Sequence, residues 1–259
     1  MLSIGTLYAH GYVLSELERL ASLGFSLRPA ASWYAGAQSL RFVDFSHPPA
    51  LELISVEDER KYANFIPHGM TAYSPGVSLV IDPGSGRTLE DYQTAFKAWN
   101  PYRIHVGYQG GTDPTEPGWN YLNFATPIVE KTFIYLTEYE EPKPQPPPPV
   151  MHPNTSAQVT GIVFDIPLPT LTTLSRLSSQ RQSDGPMALG NITVFGESHV
   201  PPEVRLRRKP FPLVAVVISV QTLRMHAESP TRPRSIDWLG ESSILLEMNP
   251  LSWDIILTT

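Results

Sequence analysis

Hydrophobic and polar residues alternate with a period of two in many short segments of this chain, which is typical of β-strands with one buried face. Turn-forming residues separate these segments. The pattern predicts strands at Ile4–Val13, Ser39–Phe45, Leu51–Val56, Val77–Ile81, Tyr102–Tyr108, Asn120–Ala125, Thr132–Glu138, Gly161–Ile166, Asn191–Phe195, Phe211–Leu223 and Ser243–Met248. The sequence therefore predicts a fold built mainly from short strands.

Three segments instead have the spacing of an amphipathic helix. The first follows Ser15, a favourable N-cap residue, and ends at Gly24. The others are Leu89–Trp99 and Pro169–Leu177. Each follows a predicted strand and precedes a group of strands. The order predicts one βαβββ unit used three times, at a spacing of about 75–80 residues.

A proline-rich segment divides the chain, since six of the ten residues 141–150 are proline. Such a run adopts an extended polyproline conformation of about 3.1 Å per residue. It could serve as a spacer, the reading we favour, or as a ligand for a proline-recognition domain. We predict two paired units in residues 1–141, a strap in 142–156 and a third unit with a C-terminal extension in 157–259.

Composition and charge exclude several kinds of function. The 259 residues contain 27 prolines and no cysteine, and the net charge is −6. The absence of cysteine excludes disulfides, thiolate catalysis and cysteine-bound zinc. The acidic first half disfavours nucleic acid as a partner, and we interpret the basic run at 205–209 as a solvated turn. No apolar run reaches the ~18 residues of a membrane helix and no signal peptide is visible, so we predict a cytoplasmic protein without membrane contact.

Several segments together carry a family resemblance. Tyr12–Phe25 contains a strand end, a capped helix and a closing Gly-Phe, and Leu51–Val56 begins with the letters LEL. Phe133–Glu138 matches a last strand, and His152–Phe164 the entry to a further unit. These segments resemble the vicinal oxygen chelate, or glyoxalase-like, superfamily and its long glyoxalase-like subgroup. The resemblance implies an α+β fold in which repeated βαβββ units form an open, curled mixed sheet with a ligand in its concave cup.

The resemblance also implies where a metal would bind. Metal-dependent members bind one divalent ion through His or Glu side chains on the first and last strands of each unit. Glu52 and Glu138 stand at the two last-strand positions, but one opening strand offers only Ser78 and His10 lies too far along the other. Two carboxylates without imidazoles suit Mg²⁺ or Mn²⁺ better than zinc or nickel. We expect no cofactor, with a divalent metal as the less favoured alternative.

Glu52 is the first candidate catalytic residue. Alternation places Glu52 and Ile54 on the same face of their strand. If that face is the cup, burial raises the pKa of Glu52, which could then act as a general base or bind a ligand by a hydrogen bond. The alternatives are a carboxylate in solvent and a structural ion pair with Arg41.

His105 is the second candidate catalytic residue, with Arg103 beside it on the same face of its strand. If the apolar face of that strand packs under the helix, both side chains point into the cup, where they could bind an anionic or carbonyl ligand. The alternative is a polar face in solvent. Further candidate ligand-binding residues are His10, His68, Tyr108 and Glu138.

These observations predict a protein that binds a small oxygen-bearing organic molecule and catalyses proton transfer, of the isomerase or lyase type, without a transition metal. Two alternatives remain open: a non-catalytic ligand-binding or regulatory protein, and a metal-dependent dioxygenase or lyase of the same superfamily. A third unit without a partner could pair with a second copy in a homodimer. It could equally bury its open edge against the first two units.

Overall fold

Two mixed β-sheets form most of the structure. The computed structural model describes residues 2–10, 19–29, 31–33, 36–63, 71, 74–106, 118–140, 150–167, 171, 186–190, 192–207, 210–223, 233–248 and 253–259. No helix in these parts of the chain is long and apolar enough to cross a membrane. Residues 142–149 of the predicted strap and most of the predicted helix at 169–177 lie outside the described residues.

The first sheet contains two equivalent units of four strands. Its strands are β1 Leu2–His10, β2 Ala31–Trp33, β3 Gln38–Val43, β4 Ala50–Val56, β5 Gly76–Ile81, β6 Pro101–Val106, β7 Trp119–Phe124 and β8 Phe133–Tyr139, in the spatial order β2-β3-β4-β1-β5-β8-β7-β6. The first strand of each unit pairs in parallel with the last, as β1 does with β4 and β5 with β8. The two units meet where β1 and β5 pair antiparallel.

The second sheet repeats this arrangement with one strand fewer. Its strands are β9 Ser156–Phe164, β10 Met187–Leu189, β11 Ile192–Phe195, β12 Leu213–Val220, β13 Arg234–Trp238, β14 Glu241–Leu246 and β15 Asp254–Thr258, in the order β10-β11-β9-β12-β15-β14-β13. Here β9 pairs in parallel with β11, and β12 with β15. Residues 157–259 therefore form two units where the sequence predicted one. The sequence did not predict the second of these units because each predicted unit was recognised by its helix, and no helical pattern follows β12.

The helical segments within the described residues are short. They comprise α-helices Glu59–Tyr62, Leu89–Ala95 and Pro202–Arg205, 3₁₀ turns Pro83–Ser85, Lys97–Trp99 and Glu197–His199, and helical backbone at residues 19–22. The helix Leu89–Ala95 begins with a capping box, in which Thr88 and Asp91 each bind the other's backbone N–H. The helix at 19–22 ends at Gly24, whose φ is +83°, as the sequence predicted.

The main hydrophobic core covers the side of the first sheet that faces the helix Leu89–Ala95, together with one side of the second sheet. From the first sheet it contains side chains such as Leu7, Leu53 and Leu136, and from the second Val216 and Ile255. Helix residues Leu89, Tyr92 and Phe96 and the segment residues Leu20, Leu23 and Phe25 belong to the same core. One apolar layer thus joins the two sheets. We call this side of the first sheet the helix face.

The side chain of His152, within the segment predicted as the strap, anchors the chain that leads into the second sheet against the first. The His152 ring is buried between Phe25 and Phe45. Its Nδ1 accepts a hydrogen bond from the Ser26 N–H at 3.0 Å, and its Nε2 lies 2.8 Å from the Asp44 carbonyl oxygen. A ring with this pair of partners carries its proton on Nε2 and is neutral. Burial accordingly lowers the pKa of His152, against the opposing influence of Asp44.

Candidate functional site

The side of the second sheet that faces away from the main core is filled by the protein itself. A second apolar cluster covers it, with the alternate residues Val163, Ala215, Val217 and Ile256 among its members. The segment after β11 closes this cluster, because the buried side chains Val200 and Val204 pack into it; Trp238 also donates its indole N–H to the His199 carbonyl at 3.0 Å. Within the described residues this face forms a second apolar core.

The corresponding side of the first sheet has a different character. Pairing register places Glu52 of β4 beside Tyr8 of β1, and alternation along β7 and β8 adds Tyr121, Tyr135 and Tyr139. None of these five residues belongs to the main core, and the four tyrosines are half-buried. We call this side the tyrosine face, defined by Tyr8, Glu52, Tyr121, Tyr135 and Tyr139. It combines aromatic surface with hydroxyl and carboxyl groups, as binding sites for small molecules do.

Glu52 is the acidic residue of the tyrosine face. Its side chain is buried, and burial raises its pKa from an ordinary value of 4.5 to about 8, while the Arg28 guanidinium opposes the rise. Among the described residues no hydrogen bond contributes to that pKa. At neutral pH the carboxyl is therefore mostly protonated and uncharged, and it can donate a hydrogen bond.

Arg28 only partly opposes the rise in the pKa of Glu52, since the charge of Arg28 is already neutralised. Its guanidinium binds both oxygens of the buried Asp44 carboxylate and lies 4.3 Å above the centre of the Phe42 ring. Phe42 is the cross-strand neighbour of Glu52. The ion pair therefore stands at the edge of the site, one ring away from the carboxyl group.

The hydroxyls of Tyr135 and Tyr139 also remain protonated at neutral pH. Burial raises the pKa of Tyr135 well above 10, and it raises that of Tyr139 to about 12 with a further contribution from nearby Glu52. Tyr135 donates its hydroxyl hydrogen to the Tyr8 hydroxyl, and its ring meets the Tyr121 ring edge-on at 4.8 Å. These side chains act as neutral hydrogen-bonding and stacking groups rather than as charges.

The absence of a side chain at Gly76 permits the contact between Tyr8 and Tyr135. These tyrosines stand on β1 and β8, with β5 between them. A Cβ at Gly76 would lie 3.0 Å from Tyr8 Cδ2 and 3.1 Å from Phe133 Cβ. The Tyr8 ring thus leans over the backbone of β5 to reach the next strand.

The structure separates the predicted site residues into two groups. Glu52 lies on the tyrosine face together with Ile54, as the alternation predicted. Arg103 lies on the helix face, where its Nε donates to Gln93 Oε1 at 3.0 Å, and His105 lies on the same side of β6. This orientation is the reverse of the predicted one. The reason is that the apolar side of β6 belongs to the aromatic tyrosine face and does not pack under the helix.

His105 and Glu138 do not join Glu52 in the described part of the site. His105 is exposed and lies 3.1 Å from Asn120 Oδ1 and 3.4 Å from Glu140 Oε1. Glu138 aligns with Asn120 on the helix face. The backbone of His10 ends β1 opposite Ile54, whereas His68 and Tyr108 lie outside the described residues. Their roles stay predictions.

Sequence reasoning missed the tyrosines of the site. A signal was present, because the segment Phe133–Tyr139 carries a tyrosine or phenylalanine at three of its alternate positions. This pattern is typical of a strand with one aromatic face. The sequence could not show that this face lies beside Glu52, because the proximity depends on pairing among β1, β4, β5 and β8.

The basic run that begins at Arg205 is engaged by carboxylates of the chain itself. Arg205 Nε lies 3.8 Å from Asp165 Oδ1, and Arg207 binds the fully buried Asp254 and lies 3.7 Å from Glu247. Residues 208 and 209 lie outside the described residues. The two described arginines therefore serve local structure, which agrees with their interpretation as part of a turn.

The donors of the tyrosine face do not fit a divalent metal. No group of three His, Asp or Glu side chains that could hold an ion exists among the described residues. Glu52 favours its protonated form at neutral pH, Ser78 is hydrogen-bonded to Thr137 at 2.9 Å, and Glu138 lies on the other face. Protonated carboxyl and phenol groups are poor ligands for a hard cation, which requires ionised oxygens.

Comparison with known proteins identifies the fold. No protein-family model matches the chain, and no curated protein matches its sequence. Among solved structures, the Mn(II)-bound glyoxalase from Novosphingobium aromaticivorans aligns over 98% of this chain and 81% of its own, with 9% identity and a TM-score of 0.53. The 2,3-dioxygenase LapB from Pseudomonas sp. KL28 aligns over 98% and 91%, with 11% identity and a TM-score of 0.50.

A third similar structure is the 2,2',3-trihydroxybiphenyl 1,2-dioxygenase from Sphingomonas wittichii strain RW1, which covers 99% of this chain and 89% of its own at 10% identity and a TM-score of 0.50. This chain has the vicinal oxygen chelate fold. The fold predicted from the sequence is thereby confirmed. A vicinal oxygen chelate fold at this level of identity carries no particular activity with it, so the function has to be argued from the tyrosine face.

Proposed function

We propose that the tyrosine face binds a small organic molecule through one of its oxygen atoms and that Glu52 exchanges a proton with that molecule. The observation that carries the proposal is the buried Glu52 carboxyl, with a pKa of about 8, beside Tyr8. A carboxyl group whose pKa lies close to neutral pH is suited to both the donation and the removal of a proton.

The charge state of the face determines the chemistry that it can support. At pH 7 the neutral Glu52 carboxyl donates a hydrogen bond to a carbonyl or hydroxyl oxygen and stabilises negative charge that develops there. As the pH rises through 8, an increasing fraction of Glu52 is ionised and can act as the base that the sequence predicted. The neutral Tyr135 and Tyr139 hydroxyls contribute polarity without a charge of their own.

The aromatic rings favour a planar or apolar body in the ligand. The Tyr135 ring contacts those of Tyr8 and Tyr121 at ring-centre distances of 5.7 and 4.8 Å, and such clusters bind flat molecules by stacking and edge contacts. A ligand with an apolar ring or chain and one oxygen would satisfy both parts of the face.

A second candidate function is ligand binding without catalysis. It is favoured by the fact that Glu52 is the one acidic side chain that β1–β8 place on the tyrosine face among the described residues. Isomerisation by proton transfer commonly needs a donor and an acceptor at different atoms of the substrate. One carboxyl is sufficient to bind an oxygen atom but supplies only one of these two groups.

Deuterium exchange distinguishes the two functions. The wild-type protein is incubated in D₂O at pD 8 with a panel of small ketones, aldehydes and phenols, and mass spectrometry measures deuterium gained at carbon. We expect exchange into at least one carbonyl compound, and its loss in Glu52→Gln. Binding of panel members that depends on Glu52, without exchange, would favour the non-catalytic function. Neither exchange nor binding that depends on Glu52 would contradict the proposal.

A further inference from the structure

Gln38 is a second polar residue on the side of the sheet that carries Glu52. It pairs with Val56 of β4, whereas Phe42, four residues later in β3, pairs with Glu52 itself. Because side chains at even spacing share a face, Gln38 and Glu52 point to the same side of the sheet. Val56 lies four residues beyond Glu52, which corresponds to about 13 Å along the strand.

The side-chain amide of Gln38 is buried, but its oxygen lacks a hydrogen-bond donor within the described structure. Gln38 is 4% exposed, and its Oε1 is buried and accepts no hydrogen bond within the described structure. A buried acceptor that has lost water and gained no donor lowers the stability of the folded state. A methionine or leucine at this position would avoid that loss, so the amide is costly unless a donor from another molecule reaches it.

An apolar strip separates the two polar side chains. Leu40 and Ile54 face each other across β3 and β4, and each is only 2% exposed. Neither belongs to the main core or to the apolar cluster of the second sheet. On the side of the sheet that carries the tyrosine face, an apolar strip therefore lies between the Glu52 carboxyl group and the Gln38 amide oxygen.

We infer that Gln38 is a specificity-determining residue, which accepts a hydrogen bond from an N–H or O–H group at the far end of a ligand whose oxygen contacts Glu52. The inference rests on the proposed function and adds a substrate class to it. That class is an elongated molecule with an apolar middle, an oxygen acceptor at one end and a hydrogen-bond donor at the other. Its two polar atoms would be about 8 Å apart, once a hydrogen bond of about 2.8 Å is allowed at each end.

A matched pair of probes tests this assignment. 4-Hydroxybenzylideneacetone has a ketone at one end and a phenol O–H at the other, and 4-methylbenzylideneacetone replaces that O–H by a methyl group. Calorimetry measures the affinity of both for the wild type, for Gln38→Met and for the control Ser55→Ala, whose residue lies on the other side of β4. We expect the wild type and the control to prefer the hydroxyl probe by about tenfold, and Gln38→Met to lose the preference.

Melting temperature provides a readout that needs no probe. Gln38→Met removes an uncompensated acceptor, so we expect it to melt at a higher temperature than the wild type. A lower melting temperature would show that Gln38 makes a structural hydrogen bond, and would overturn the inference. So would a preference for the hydroxyl probe that survives in Gln38→Met.

Glu52→Gln separates this inference from the proposed function. If Glu52→Gln weakens binding of the hydroxyl probe while Gln38→Met does not, Gln38 has no role in specificity and the proposed function stands. If the wild type binds neither probe, the substrate class inferred from Gln38 is wrong. The deuterium exchange experiment then decides the proposed function by itself.

Discussion

The ring of Tyr8 lies over Gly76 of the neighbouring strand, so close that a Cβ added at Gly76 would be 3.0 Å from Tyr8 Cδ2. This contact allows the Tyr8 hydroxyl to accept the hydrogen bond of Tyr135 across an intervening strand. One glycine thereby determines how the tyrosines of two different units meet on one face.

Gly76→Ala should displace the Tyr8 ring and destabilise the protein. The new methyl group has the backbone of β5 on one side and Tyr8 and Phe133 on the other, and overpacking of this kind typically costs about 1–3 kcal/mol. Urea unfolding measures the change. The control is Gly84→Ala, where the nearest atom to the added Cβ is a side-chain oxygen of the exposed Asp82 at 3.3 Å. Equal stabilities of the two variants would contradict the proposed packing of Tyr8.

Glu52 should make the protein less stable as the pH rises. Its pKa is about 8 in the folded protein and 4.5 in the unfolded chain, so the folded state binds the proton more tightly. The stabilisation is fully present below pH 4.5 and is lost as the pH rises towards 8, by at most about 5 kcal/mol. Glu52→Gln should remove this loss, and urea unfolding from pH 4.5 to 8.5 measures it.

The control for this experiment is Glu138→Gln, which removes one carboxyl group from the helix face. We expect the stability difference between Glu52→Gln and the wild type to increase with pH throughout the range. A constant difference, or the same slope in Glu138→Gln, would show that Glu52 does not hold its proton in the folded protein.

His152 should have the opposite effect and destabilise the protein in acid. Its pKa is lowered in the folded protein, because the buried ring accepts the Ser26 N–H on Nδ1 and cannot take a second proton without losing that bond. The unfolded chain takes up this proton as the pH falls through about 6.5, and stability falls with it. Unfolding at pH 7 and pH 5 should show that the stability of the wild type falls relative to that of His152→Gln as the pH decreases. The exposed His47→Gln serves as control and should behave as the wild type does; an equal change in all three proteins would contradict this role.

The sequence predicted the fold better than the site. Alternation within Leu51–Val56 placed Glu52 and Ile54 on one face correctly, because that property depends on one strand alone. The orientation of Arg103 and His105 was predicted in reverse, because the apolar side of their strand was assumed to meet the helix. The units of the second sheet were undercounted because the last unit, β12–β15, has no helical pattern after β12 to mark it in the sequence.

The contacts that define the tyrosine face could not be predicted from the sequence, for a related reason. Tyr8 and Tyr135 are 127 residues apart, and their hydroxyls meet only because β5 lies between their strands and has a glycine at the crossing point. Gln38 is equally inconspicuous in the sequence, because a glutamine in an alternating strand is ordinarily a solvent-facing residue. Its significance comes from burial without a partner.

NMR measures the protonation of the Glu52 carboxyl group directly and thereby tests its assignment to a binding site. Protein labelled with ¹³C at the glutamate carboxyl carbons is titrated from pH 4 to 10, and the signal of Glu52 is assigned by its absence from Glu52→Gln. We predict a titration midpoint at about pH 8 and a change in that signal when 4-hydroxybenzylideneacetone, or a compound active in the deuterium exchange experiment, is added. A midpoint near 4.5, with no response to any such compound, would contradict the assignment of the tyrosine face as the binding site.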